Sequence, residues 1–98
     1  MRILHSGTAG TLESSDAMIT VEQNPKKGIE IDLESISESR FGGQIRKVIT
    51  ETLGDLKVGD AVVRVKDRSA LDCTIRARLI TAAYRAAGIK TFNWEALP

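Results

Sequence analysis

Apolar residues recur along this chain with two periods, and the switch between them marks out the elements. Ala17, Ile19 and Val21 fall on one side of the run Ala17-Met18-Ile19-Thr20-Val21-Glu22, the period-2 pattern of a half-buried strand. Asn24-Pro25-Lys26-Lys27-Gly28 is a turn by composition. Ile29, Ile31 and Leu33 then alternate with Glu30, Asp32 and Glu34, a second strand with one wet face. The two strands predict a hairpin joined by a loop of about five residues. From Phe41 onward the period lengthens: Ile45, Val48, Ile49, Thr52, Leu53 and Leu56 make one helical stripe, with Arg40, Gln44, Lys47 and Glu51 opposite. Ser37 or Ser39 is placed to cap that helix. Gly42 and Gly43 weaken its first turn by roughly 1 kcal/mol each relative to Ala, which implies close packing there or a later start. Residues 61–66 return to strand, and Asp67-Arg68-Ser69 turns. Ser69 with Asp72 resembles a capping box for a helix over 71–87, with Gly88 as its stop. This order predicts an α+β fold: an antiparallel sheet of three or four strands with two helices packed on one face.

The second helix carries two apolar stripes. Leu71, Ile75, Leu79, Ala82 and Ala86 form the core face. Cys73, Ala77, Ile80 and Tyr84 form another on nearly the opposite side. Asp72 and Arg76 separate the stripes along one edge, and Arg78 and Arg85 along the other. A small domain has little material to cover both faces. The second stripe is therefore expected to lie against a partner protein or under the C-terminal residues Phe92 and Trp94.

The 98 residues are expected to form one domain, 1–98, with residues 1–8 flexible. Fourteen basic residues balance 13 acidic ones, so the chain lacks the basic footprint that nucleic acid or an anionic membrane surface requires. No run is long and apolar enough to span a bilayer, and the N-terminus is too short and polar for a secretory signal. A single cysteine, Cys73, excludes an intramolecular disulfide and any multi-cysteine metal site. A cytoplasmic location is the resulting expectation.

Little remains with which to do chemistry. The one histidine, His5, lies in the N-terminal segment, where a general base for a serine nucleophile is not expected. Gly7 and Gly10 do not make a phosphate-binding pattern. Glu13 and Asp16 are too few ligands for a metal, and Cys73 reads as a small apolar residue. Ser14 and Ser15 lie between the two acids. The residues alone leave two readings open for them: plain turn positions, or a hydroxyl to which something is attached.

Two blocks favour attachment by resemblance. Ala9-Gly10-Thr11-Leu12-Glu13-Ser14-Ser15-Asp16 resembles the N-terminal signature of citrate lyase acyl carrier proteins, the gamma subunits of that complex. Val65-Lys66-Asp67-Arg68-Ser69-Ala70-Leu71-Asp72-Cys73, followed by Arg76-Ala77-Arg78-Leu79, resembles the family's second block, with Arg68-Ser69 where many members have Lys-Gly. Phe41-Gly42 and a C-terminal Trp fit as well.

The resemblance implies a non-catalytic carrier. Ser14 would bear phosphoribosyl-dephospho-coenzyme A through a phosphodiester, installed by a dedicated transferase, the holo-protein synthase. The arm's thiol would carry acetyl and citryl groups between the alpha (transferase) and beta (lyase) subunits as citrate is cleaved to acetate and oxaloacetate. Glu13 and Asp16 would repel the arm's phosphates. A carrier for a citramalate lyase, an unmodified interaction subunit and an independent serine hydrolase are the alternatives. Ordinary acyl carrier proteins are helical bundles, whereas the period-2 strands here predict a sheet.

Overall fold

A computed structural model describes residues 1–36 and 38–89, with Glu38 and Ser39 described by their backbone alone. The elements are β1 (Gly7–Ala9), β2 (Ala17–Glu22), β3 (Ile29–Ser35), α1 (Glu38–Asp55), β4 (Ala61–Asp67) and α2 (Asp72–Ala86). Four strands form one sheet in the order β1-β2-β4-β3. β1 and β2 are antiparallel, as are β2 and β4, while β3 and β4 run parallel. The α+β class is as expected, but the sheet is mixed rather than antiparallel, and β2 and β3 are not a hairpin. β4 lies between them. The linker between β2 and β3 crosses the start of β4, where Gly28 N–H donates to Asp60 Oδ1 (2.6 Å) and Ala61 N–H to the Gly28 carbonyl (3.0 Å). Periodicity assigns each strand its faces but not its neighbours. The β3-α1-β4 unit is a crossover, which joins parallel strands.

The two helices share one face of the sheet. Ala17, Ile19 and Val21 of β2, Ala61, Val63 and Val65 of β4 and Leu33 of β3 are buried beneath them. α1 adds Ile45, Ile49, Thr52, Leu53 and Leu56, and α2 adds Ile75, Leu79, Ala82 and Ala86 of its expected core stripe together with Ile80. Leu71, expected in that stripe, is exposed because it precedes the first helical turn. The other face is polar: Arg64 of β4 reaches Glu22 of β2 and Asp32 of β3.

Local chemistry sets the helix ends. α1 closes in a Schellman motif, with Val58 N–H on the Leu53 carbonyl and Lys57 N–H on the Gly54 carbonyl, both at 3.0 Å. Lys57 takes the left-handed position there, with φ 57°. α2 closes the same way through Gly88, φ 74°, with Ile89 N–H on the Tyr84 carbonyl. The expected capping box does not form: the N-cap of α2 is Leu71 without a side-chain cap, and Ser69 sits at φ 64° in the preceding turn. Ser37 lies outside the described residues, and Ser39 lies within α1.

Residues 1–8, expected to be flexible, pack against the domain. Ile3 is buried, the Leu4 and His5 amides donate to the Ala86 carbonyl (3.0 Å each), and β1 pairs with β2. Gly7 permits this approach. A Cβ there would stand 2.4 Å from both the Ala82 carbonyl oxygen and the Ala86 nitrogen.

Candidate attachment site

Residues 10–16 join β1 to β2 and carry both serines. Gly10 begins the loop at φ 91°, and a Cβ on it would stand 1.8 Å from the Ala17 carbonyl oxygen, so only glycine fits this approach. The Asp16 amide donates to the Glu13 carbonyl (3.1 Å) and closes a four-residue turn with Ser14 and Ser15 at its corners. Ser15 takes φ 65°, the positive value that the third position of a type II turn requires.

The turn is held from outside by two contacts. Ser15 N–H donates to the Arg68 carbonyl (2.7 Å), and Arg68 N–H donates to the Asp16 carbonyl (2.9 Å), so the end of β4 grips the end of the loop. Arg78 of α2 then donates through Nε to Asp16 Oδ1 (3.0 Å) and through a terminal nitrogen to Oδ2 (3.4 Å). Asp16 also accepts from the Thr11 hydroxyl and the Ala17 amide, both at 2.7 Å. The Arg78 hydrogen bond, then those of Thr11 and Ala17, hold the Asp16 carboxyl well below the ordinary carboxylate range. Its side chain is 15% exposed.

Ser14 is exposed, and among the described residues no hydrogen bond engages its hydroxyl. His5 is held elsewhere, with Nε2 donating to the Arg85 carbonyl (3.0 Å) at the C-terminal end of α2. Among the described residues no group of three metal-ligating side chains comes together. Glu13 is exposed, whereas Asp16 is clasped by Arg78, so the two acids flanking the serines are not equivalent.

The second stripe of α2 divides. Ile80 (4% exposed) and Tyr84 (9%) are buried in the domain, and Ala77 is half-buried. Cys73 alone of the four is exposed. Phe92 and Trp94 lie outside the described residues. The arginines bordering the stripe have structural partners. Arg78 holds Asp16, Arg85 donates to the Thr8 carbonyl (2.7 Å), and Arg76 reaches Asp55 (3.0 Å). Sequence reading gave Arg78 no role at the serine loop, because its partner lies 62 residues away.

The loop sits at the end of the sheet where β3 and β4 finish and both helices begin. Beside it a cavity of about 600 Å³ opens between the helix starts, lined by Phe41, Ile45, Leu71 and Cys73 with Asp67 and Ser69. Asp67 is 1% exposed, and its two oxygens accept from the Ser35 hydroxyl (2.8 Å) and the Ala70 amide (2.9 Å).

Fold and site together define a presenting domain, a small α+β body holding a serine outward on a pinned turn. The family model described as "ACP: Malonate decarboxylase delta subunit (MdcD)" matches residues 5–86. Citrate lyase acyl carrier proteins match over nearly the whole chain. The one from Streptococcus uberis is 54% identical over 96 residues, covering 97% of this chain and 93% of the relative. The Streptococcus mutans protein is 52% identical with the same coverage, and the Vibrio cholerae protein 46% identical over 99% of each chain. The chain belongs to the citrate lyase acyl carrier protein family.

Proposed function

We propose that this chain is the acyl carrier subunit of a citrate lyase, without catalysis of its own, and that Ser14 Oγ is the point at which phosphoribosyl-dephospho-coenzyme A is joined. The observation that carries the reading is the meeting of two distant segments. Asp16, beside the serines, is clasped by Arg78 from 62 residues away and by the backbone of Arg68. The two blocks that resemble the family are thus one site in space.

The residues suit such a group. The Ser14 hydroxyl is exposed and, among the described residues, unengaged, with exposed Glu13 and Ser15 on either side, so an installing transferase can reach it. When bound, the group supplies a terminal thiol to hold acetyl and citryl. Ser14 supplies the oxygen of the phosphodiester. Asp16, Arg78 and the Arg68 backbone fix the pivot from which the tether extends. Glu13, exposed and without an ion pair among the described residues, repels phosphate from the turn. A tether on a fixed pivot makes each transfer intramolecular, so effective concentration replaces diffusion. The alpha and beta subunits and the holo-protein synthase are the corresponding partners.

Intact mass after coexpression with the family's transferase tests this. The wild-type chain gains one prosthetic-group increment, and Ser14→Ala gains none. No increment, with the transferase active on a known carrier, removes the carrier reading. An increment that survives in Ser14→Ala moves the attachment to Ser15.

A further inference from the structure

The cavity between the helix starts is not needed to build the attachment turn, and its chemistry is unusual for a surface. Leu71 is 70% exposed and Phe41 49% exposed at its mouth. Leu71 is moreover the N-cap of α2, where Ser, Thr, Asp or Asn would satisfy a helix amide and leucine does not. A residue that is poor both as a cap and as a surface residue points to a use outside folding.

We propose, resting on the Ser14 reading above, that this cavity is the resting seat of the uncharged, thiol-bearing end of the group attached to Ser14. Continuity supports the assignment. The Arg68 carbonyl binds the Ser15 amide at 2.7 Å, and the next residue, Ser69, lines the cavity. A tethered end therefore begins its search one residue from the opening, at high effective concentration. Size supports it too, since about 600 Å³ falls within the range of small-ligand sites. So does charge. Among the described residues, the charged side chains on the cavity wall are the acids Asp67 and Asp72, which leave phosphates outside and admit a neutral chain. Gln44, whose Nε2 donates to Asp72 Oδ2 (2.9 Å), and Ser69 offer polar partners to amides beside the apolar Phe41, Ile45 and Leu71. Seated there, a reactive end is shielded from water between visits to partner sites.

Cys73, exposed on the cavity wall, supplies a built-in reporter. Full-length chain loaded on Ser14 is treated with diamide, and closure of an intramolecular disulfide is followed as a loss of two hydrogens by intact mass. The comparison is K66C in a C73S background, which puts a thiol on the open sheet face near the same end. Cys73 is expected to close at least tenfold faster than the K66C thiol. L71D, which provides a good helix cap but charges the mouth, is expected to bring the Cys73 rate down to the K66C rate. Equal rates for the two thiols, or a fast Cys73 rate untouched by L71D, overturn the seat while the mass increment leaves the attachment standing. Absence of the increment itself overturns the attachment and the seat together.

Discussion

Asp16 sets the position of the serine turn through one carboxylate with four hydrogen bonds: two from Arg78, one from Thr11 and one from its neighbour's amide. These bonds favour the charged form and hold its pKa below that of the unfolded chain, mainly through Arg78. The sign of the pH dependence follows. The stabilisation is full above the ordinary carboxylate pKa of roughly 4 and is lost as pH falls through the depressed folded value. Urea unfolding of wild type and Asp16→Asn is expected to show the widest gap in midpoint near pH 7, closing only in strong acid. A gap that stayed constant from pH 7 to pH 2 would contradict the role given to the charge. Sequence alone treats Glu13 and Asp16 as a symmetrical pair of acids. Their inequality depends on Arg78, and no local spacing connects residues so far apart.

At the scale of elements, two glycines illustrate what periodicity conveys. Gly43 lies inside α1, is exposed, and has nothing within 4 Å of where a Cβ would stand. It is a helix-weakening residue without a packing reason, so Gly43→Ala is expected to stabilise the protein by about 1 kcal/mol. Gly7 is the reverse, because its missing Cβ is what lets β1 lie against the backbone of α2. Gly7→Ala is expected to destabilise by roughly 1–3 kcal/mol through overpacking. Chemical denaturation of the two variants checks both signs. Each helix and the strands β2 and β4 were legible from apolar spacing, because their buried faces repeat. Of the alternating Ile29, Ile31 and Leu33 of edge strand β3, by contrast, only Leu33 is buried and Ile29 is exposed. β1 was not legible. Three residues give too short a pattern, and its anchors are Gly7 and backbone carbonyls rather than an apolar run. The start of α2 misled for another reason: Ser69 and Asp72 have capping-box chemistry, but the backbone of Ser69 is spent on a left-handed turn.

For the molecule as a whole, the decisive fact is that β4 lies between β2 and β3. Its amides and carbonyls are paired on both sides, and Val63 and Val65 are buried to within 1%. Hydrogen exchange is therefore expected to be slowest in β4 and markedly faster in the short edge strand β1. Equal protection across the sheet would contradict this order. The hairpin expected between β2 and β3 has the right turn chemistry and a plausible loop length. Local rules favour it, and only the competition of β4 for both neighbours displaces it. The long sequence separation of the serine turn's contacts also sets an order of events during synthesis. Ser14 leaves the ribosome early, but the groups that shape its turn, the Arg68 backbone and the Arg78 guanidinium, are translated more than fifty residues later. The nascent chain thus exposes a serine without a recognisable platform. An enzyme that reads the shaped turn acts on finished chains and passes over those still being made.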